Sequence, residues 1–196
     1  MLMNRPALFL DRDGVINEYE PYVYRQEQFR FVNGIFELVS AAQQLGYLTV
    51  VVTNQAGIGR GLYTEEDFQT LMRWMLACFA ERGCRIEGVY HCPTHPTHGI
   101  GDYRVDSEMR KPRPGMLLQA AKEHAIDLPR SVLVGDNVSD IEAGIAAGVG
   151  RNFLFGEHKR DGRLACCVVR RLHDIIPYLS VIDEHPFTKT QRRNAP

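Results

Sequence analysis

The chain lacks any apolar run approaching the roughly 20 residues that a membrane-spanning helix requires, so no span is expected. It also lacks a dominant sign of charge. Its 23 Lys and Arg face 24 Asp and Glu, for a formal net of -1. That balance argues against a nucleic-acid surface and against a polybasic membrane anchor. Cysteine is sparse and odd in number. The five thiols include the adjacent Cys166 and Cys167 and do not read as a disulfide framework. Met1 to Pro6 has neither the charged nor the long apolar region of a secretory leader. A cytoplasmic protein in a reducing compartment is therefore expected. Cys78, Cys84, Cys166 and Cys167 then serve as small buried hydrophobes. There is no internal repeat, no low-complexity tract and no apolar stripe marking a dimer face, so a monomer is expected.

What is present is an alternation of strand-length and helix-length patterns. The length of 196 residues favours one domain, read as 1–182. The polar tail 183–196 is basic near its end and is expected to be disordered or loosely docked. Strands are expected at Ala7 to Leu10, Tyr47 to Thr53, Ile86 to His91 and Ser131 to Gly135. Edge strands are expected at Asn152 to Phe155 and Cys167 to Val169. Helices are expected over Ile35 to Leu45, Thr64 to Glu81, Gly115 to His124 and Ser139 to Ala147. Thr64 opens its helix with a capping-box pattern in which Asp67 replaces the usual Glu or Gln. Such alternation predicts an α/β fold, a mostly parallel sheet flanked by helices and joined by right-handed crossovers.

The chemistry-bearing residues follow strand ends, where open α/β sheets bind ligands. Asp11 and Asp13 follow the first strand in FLDRDGVIN, Phe9 to Asn17. Two acids at i and i+2 on extended backbone point the same way and repel, unless a cation lies between them or one is protonated. Metal-assisted attack on a phosphate accounts for that cost. Asp11 suits a nucleophile. Asp13 suits an acid that protonates the leaving alkoxide and then activates water. Magnesium takes hard oxygen ligands, and Asp11, Asp136 and a backbone carbonyl near Asp13 would supply them. Asp140, one helical turn past Asp136, either orients this site or is a first-turn acid favoured by the helix dipole.

Three further segments fit the same chemistry. In TNQAGIGRG, Thr53 and Asn54 can donate to phosphate oxygens, and three glycines would let backbone N–H groups approach an anion. Arg60 either reaches a second phosphate or is a solvated loop charge. In RKPRPG, Lys111 can neutralise a transferring phosphoryl group, and Arg110 can grip a second part of the substrate. In VGDNVSDIEAG, Asn137 either bonds a ligand or caps the following helix. The long stretch from His91 to Arg113, with its Pro, His and charged residues, reads as a functional loop.

In order and spacing, these four segments resemble the haloacid dehalogenase (HAD) phosphatase superfamily. FLDRDGVIN, VVVTNQAGIGRG, HCPTHP and RKPRPGM further resemble the D-glycero-D-manno-heptose 1,7-bisphosphate 7-phosphatase family and the related histidinol-phosphatase domains. The similarity runs from about residue 6 to 155. It implies a Rossmann-like fold without a large cap domain, and magnesium held by Asp11, Asp13 and Asp136. It also implies Asp11 as nucleophile, Asp13 as acid/base, Thr53 and Lys111 on the phosphoryl group, and Arg110 on the substrate. The implied reaction removes the 7-phosphate of a small sugar bisphosphate in nucleotide-activated heptose synthesis for lipopolysaccharide or capsule. Histidinol phosphate is the alternative substrate, for which Glu18, Glu20 and Asp102 could form an acidic outer pocket. A non-catalytic phosphosugar-binding protein would have no use for Asp13. Many family members hold zinc in the long loop through Cys-x-His and Cys-x-Cys pairs. Here Cys92 is followed by Thr94, His95 lies one place off, and Ser107 and Met109 stand in the second pair. Zinc is therefore not expected.

Overall fold

The computed structural model describes residues 4–158 and 165–179. The expected tail 183–196 lies outside the described residues. Strands β1 (Ala7–Leu10) and β2 (Leu48–Asn54) carry buried residues on both sides along nearly their whole length. Only strands covered by helices on both faces read this way. Four more strands join them: β3 (Gly88–Cys92), β4 (Val132–Gly135), β5 (Arg151–Phe155) and β6 (Cys167–Val169). The sheet order is β3-β2-β1-β4-β5-β6, and every pairing is parallel. The chain starts at β1, runs outward through β2 and β3, and returns to β4 on the other side of β1. This reversal opens a crevice beyond the carboxyl end of β1.

The helices that make the crossovers are α1 (Ile35–Gln44), the short α2 (Ala56–Gly59), α3 (Glu65–Glu81), α4 (Gly115–His124) and α5 (Val138–Ala147). A last short helix is α6 (Ile176–Leu179). Side chains alternate across each strand with period two. Leu8, Leu10, Val51, Val132 and Val134 face α1 and α3, against Leu38, Phe68, Leu71 and Phe79. Ala7, Phe9, Val50, Val52 and Leu133 face α4 and α5, against Met116, Leu117 and Ile141. Each fully buried Leu, Ile or Phe in these two layers contributes about 1.5–3 kcal/mol over its exposed state. The result is a rigid floor under the crevice.

Most expected elements are present within one or two residues. Thr64 caps α3 as its pattern predicts: its hydroxyl accepts from Asp67 N at 3.0 Å, and the Asp67 carboxylate accepts from Thr64 N at 2.8 Å. One placement needs correction. β5 is not an edge strand, because it pairs with both β4 and β6. Phe153 and Leu154 are buried in opposite layers, which requires cover on both faces of β5. Among the described residues, no helix is long and apolar enough to cross a membrane.

Candidate active site

The carboxyl ends of β1, β2 and β4 and the loop before α4 converge on one cavity of about 420 Å³. Asp11, Asp13, Thr53, Asn54, Arg60, Arg110, Lys111, Asp136 and Asn137 all line it. Segments 100 residues apart and more meet there, as the contact between Asp11 and Lys111 and the approach of Asp136 and Asp140 to Asp11 show.

The floor is a buried charge cluster. Lys111 is 4% exposed. Its ammonium donates to Asp11 Oδ1 at 2.8 Å and to the Val52 carbonyl at 2.9 Å, and pairs with Asp140 Oδ1 at 2.7 Å. An ammonium has three donors, and all three are engaged. The Lys111 backbone is pinned by Asn54, whose amide oxygen accepts from Lys111 N and whose amide nitrogen donates to Lys111 O, both at 3.1 Å. Asn54 thus holds the lysine in place from the cavity wall, with one amide hydrogen beyond that bond.

Asp11, Asp136 and Asp140 bring carboxylate oxygens within 4.8 Å of one another. Burial pushes Asp11 up to about 7 despite the opposing Lys111, with Asp140 and Asp13 adding to the rise. Burial, then the Asp140 charge, pushes Asp136 up to about 6. Burial works to lower the Lys111 value, but Asp11 and Asp140 outweigh it and hold it above the usual lysine range. Three carboxylates against one ammonium leave excess negative charge in a site partly withdrawn from water, which is costly without a further cation. Hard oxygen donors in this arrangement fit magnesium. The glycine of the Asp-x-Asp-Gly run serves the same crowding. Gly14 has φ +85°, and a Cβ there would lie 2.0 Å from Asp136 Oδ2. Only glycine lets that carboxylate close on Asp11.

The Asp13 carboxylate, expected beside those of Asp11 and Asp136, is not part of the trio. β1 ends at Leu10, and the backbone then turns, with Ile16 N and Asn17 N both donating to Arg12 O. The period-two argument therefore stops short of Asp13. Asp140 takes the third place instead. It also completes the cap of α5, since its Oδ2 accepts from Asn137 N at 3.0 Å. Both readings of Asp140 hold together.

Asp13 sits in a separate network that the sequence reading missed. Arg12, 1% exposed, donates from Nε and Nη2 to Asp13 Oδ1 at 3.1 and 2.7 Å, and from Nη2 to Oδ2 at 2.8 Å. Asn17 donates to Oδ1 at 3.1 Å, and Gln55 donates to Oδ2 at 3.0 Å. Gln55 Nε2 also donates to Thr53 Oγ1 at 2.8 Å, and the Tyr63 hydroxyl donates to Gln55 Oε1. The one signal for Gln55 in the sequence is an amide side chain directly after the Thr-Asn strand end.

The rim is looser. The Arg60 guanidinium donates to the Tyr22 hydroxyl and lies 5.7 Å from the Tyr22 ring centre. Arg110 is half-buried, which lowers its value from the usual arginine range, and donates to the Thr94 carbonyl at 3.1 Å. Asn137 caps α5 by accepting from Ser139 N at 3.1 Å. Two of the three glycines of TNQAGIGRG have a packing reason. A Cβ on Gly57 would lie 2.2 Å from the Tyr63 ring, and one on Gly59 would lie 2.4 Å from the Pro93 carbonyl. They let α2 press against its neighbours.

In the long loop after β3, polar groups satisfy one another. Cys92 Sγ lies 3.3 Å from Thr94 Oγ1, and Ser107 Oγ accepts from Met109 N at 3.1 Å. His95 Nδ1 accepts from the backbone N–H groups of Thr97 and His98. Among the described residues, the acid trio is the one grouping of three or more His, Cys, Asp or Glu that could hold a metal.

Comparison with known proteins agrees with this geometry. A family model described as HAD-hydrolase-like matches residues 108–154. A D-glycero-alpha-D-manno-heptose-1,7-bisphosphate 7-phosphatase from Burkholderia mallei is 55% identical over 180 residues, covering 91% of this chain and 95% of the relative. A D-glycero-beta-D-manno-heptose-1,7-bisphosphate 7-phosphatase from Vibrio cholerae is 45% identical over 181 residues, covering 90% and 97%. Among solved structures, the D,D-heptose 1,7-bisphosphate phosphatase of B. bronchiseptica, complexed with magnesium and phosphate, superposes with a TM-score of 0.74. It shares 25% identity over 89% of this chain and 97% of that one. The chain belongs to the D-glycero-D-manno-heptose 1,7-bisphosphate 7-phosphatase family of HAD hydrolases.

Proposed function

We propose that this protein is a magnesium-dependent phosphatase that removes the 7-phosphate of a D-glycero-D-manno-heptose 1,7-bisphosphate. The observation that carries the reading is the floor cluster, where Lys111 grips Asp11 Oδ1 beside the Asp11–Asp136–Asp140 trio. Those three acids would hold magnesium, which when bound supplies positive charge to the phosphoryl oxygens and to the ligand carboxylates.

The protein's own groups do the rest. Asp11 attacks phosphorus through a carboxylate oxygen, and the bond from phosphorus to the sugar oxygen breaks. Asp13, as the acid, gives its proton to the departing alkoxide. As a carboxylate it then takes a proton from water, whose oxygen attacks phosphorus. The bond to Asp11 breaks, releasing phosphate and restoring the Asp11 carboxylate. Thr53 Oγ1 accepts from Gln55, so its own hydroxyl hydrogen is available for a phosphoryl oxygen. Lys111 holds Asp11 in position and offsets charge at the reacting centre.

The rim supports a substrate with a second anionic group. Arg60 and Arg110 both line the cavity, while Glu20 is the one member of Glu18, Glu20 and Asp102 that does so. Two cations against one acid suit a bisphosphate better than the cationic histidinol phosphate. The alpha anomer is the expected preference, because the alpha-named relative shares more identity with this chain than the beta-named one. The test is magnesium-dependent phosphate release on both heptose 1,7-bisphosphate anomers, fructose 1,6-bisphosphate and histidinol phosphate. A kcat/KM for one heptose anomer standing at least about tenfold above the rest is expected, a difference of about 1.4 kcal/mol. Preference for histidinol phosphate, or turnover of none, would overturn the reading.

A further inference from the structure

We infer that Gln55, held from behind by the Tyr63 hydroxyl, is the positioning residue for Asp13 and for the Thr53 hydroxyl; the inference rests on the phosphatase reading above. Gln55 is 2% exposed and Tyr63 6%. Neither lies in the segments that carry the expected catalytic carboxylates, yet both line the cavity. An amide side chain can present either its oxygen or its nitrogen to a neighbour, and only its hydrogen-bond partners decide which. Here the decision is made by Asp13. Its carboxylate only accepts, so Nε2 must face the site, and Oε1 is left toward the Tyr63 hydroxyl, which donates to it. With its orientation so determined, Nε2 directs its two hydrogens to Asp13 Oδ2 at 3.0 Å and Thr53 Oγ1 at 2.8 Å. The reversed amide would turn its oxygen toward a carboxylate, and the Asp13 contact would be lost.

Arg12 holds Asp13 from one side, with Nε on Oδ1 and Nη2 on both oxygens. Gln55 holds Oδ2 from the other and ties it to Thr53 Oγ1, so that the Asp13 carboxyl and the Thr53 hydroxyl keep one relative placement. Meanwhile Thr53 Oγ1, already accepting from Gln55, must direct its own hydrogen elsewhere, and the cavity lies on its open side. Tyr63 is itself held firmly. Its ring stacks on Tyr24 with centres 5.3 Å apart and planes 5° apart, and it occupies the space where a Gly57 side chain would stand. The missing side chain at Gly57 is what admits the tyrosine.

The test separates positioning of the acid from a structural role by changing the leaving group. A sugar alkoxide needs a proton from Asp13 to depart, whereas p-nitrophenolate does not. Tyr63→Phe removes only the hydroxyl and keeps the stacked ring. We expect it to lower kcat/KM for the heptose bisphosphate about tenfold, and Gln55→Leu to lower it roughly a hundredfold, the scale of misplacing a reacting group by about 1 Å. For p-nitrophenyl phosphate, each loss in kcat/KM should be at least about five times smaller, since kcat/KM reports the step that phosphorylates Asp11, in which only the Thr53 part is shared between substrates. Melting temperatures should stay within a few degrees of wild type. Equal losses on the two substrates, or unchanged kcat/KM in both variants, would overturn the inference. Wild-type turnover of the heptose bisphosphate is measured alongside. Its absence overturns the phosphatase reading and this inference together, whereas an active wild type with indifferent variants overturns the inference alone.

Discussion

The floor and the rim of the cavity are built in opposite ways. On the floor, Lys111 and Asp140 are buried, every Lys111 donor is engaged, and the acids emerge directly from β1 and β4 or the helix that follows. At the rim, Arg60 rests on the exposed Tyr22, and Arg110 reaches a loop carbonyl. The floor is backed by two packed layers, so its groups are pre-positioned and their charges act at low effective dielectric. The rim is hydrated and adaptable, as befits contacts that choose among substrates rather than perform the reaction. Floor substitutions should therefore act on kcat, and also on stability where they leave buried charges without a counterion. Rim substitutions should act on KM alone.

The sharpest break is Asp11→Asn. It removes the nucleophile, and turnover should fall on the order of 10⁴-fold or more. Lys111 keeps Asp140 and Val52 O as partners, so thermal unfolding should stay close to wild type. A stopped-time phosphate-release assay beside calorimetry checks both halves, and near wild-type turnover would remove Asp11 from the role. Next is Lys111→Ala. We expect kcat to drop roughly a hundredfold or more, by loss of one transition-state contact. Breaking a buried pair from one side should also cost about 3 kcal/mol in the magnesium-free protein. Urea unfolding reads the second quantity. A change confined to KM would mean that Lys111 only binds ground-state phosphate.

Magnesium tests whether the acid trio is one site. Magnesium at a hundredfold over its dissociation constant should stabilise the wild type by about 2.7 kcal/mol, seen as a raised melting temperature. Removal by a chelator should abolish both the rise and the turnover. Asp136→Asn should weaken magnesium binding at least about tenfold, since it deletes one hard anionic ligand. A full magnesium-induced shift in that variant would exclude Asp136 from the site. The mildest change belongs to the rim. Arg60→Ala should raise KM for the bisphosphate about tenfold, with kcat and melting temperature nearly unchanged. Loss of kcat with constant KM would blur the division between floor and rim.

Much of the floor was legible before the fold was known. Strand patterns are local, so the ends of β1, β2 and β4 were readable, and with them Asp11, Thr53 and Asp136. The capping boxes of α3 and α5 span three residues and were equally accessible, at least as alternatives. Pairings between distant segments were not legible. The union of Asp140 with Lys111, the hold of Asn54 on the Lys111 backbone and the separation of the Asp13 carboxylate from that of Asp11 depend on side-chain directions where the chain leaves regular structure. β5 looked like an edge because its strand signal is short, and only the neighbouring β6 placed it inside the sheet.

By itself, then, the sequence determined the α/β alternation, the parallel crossovers and the set of acids and cations gathered at the strand ends. Those properties follow from hydrophobic periods of 2 and 3.6 residues and from turn chemistry, each encoded within a few neighbours. Only the tertiary structure decided which acid meets which cation, why Gly14, Gly57 and Gly59 carry no side chain, and that Gln55 and Tyr63 belong to the site. Those outcomes rest on close packing and on hydrogen-bond partners drawn from segments far apart in the chain, and no local pattern records a contact that exists only once the layers are assembled.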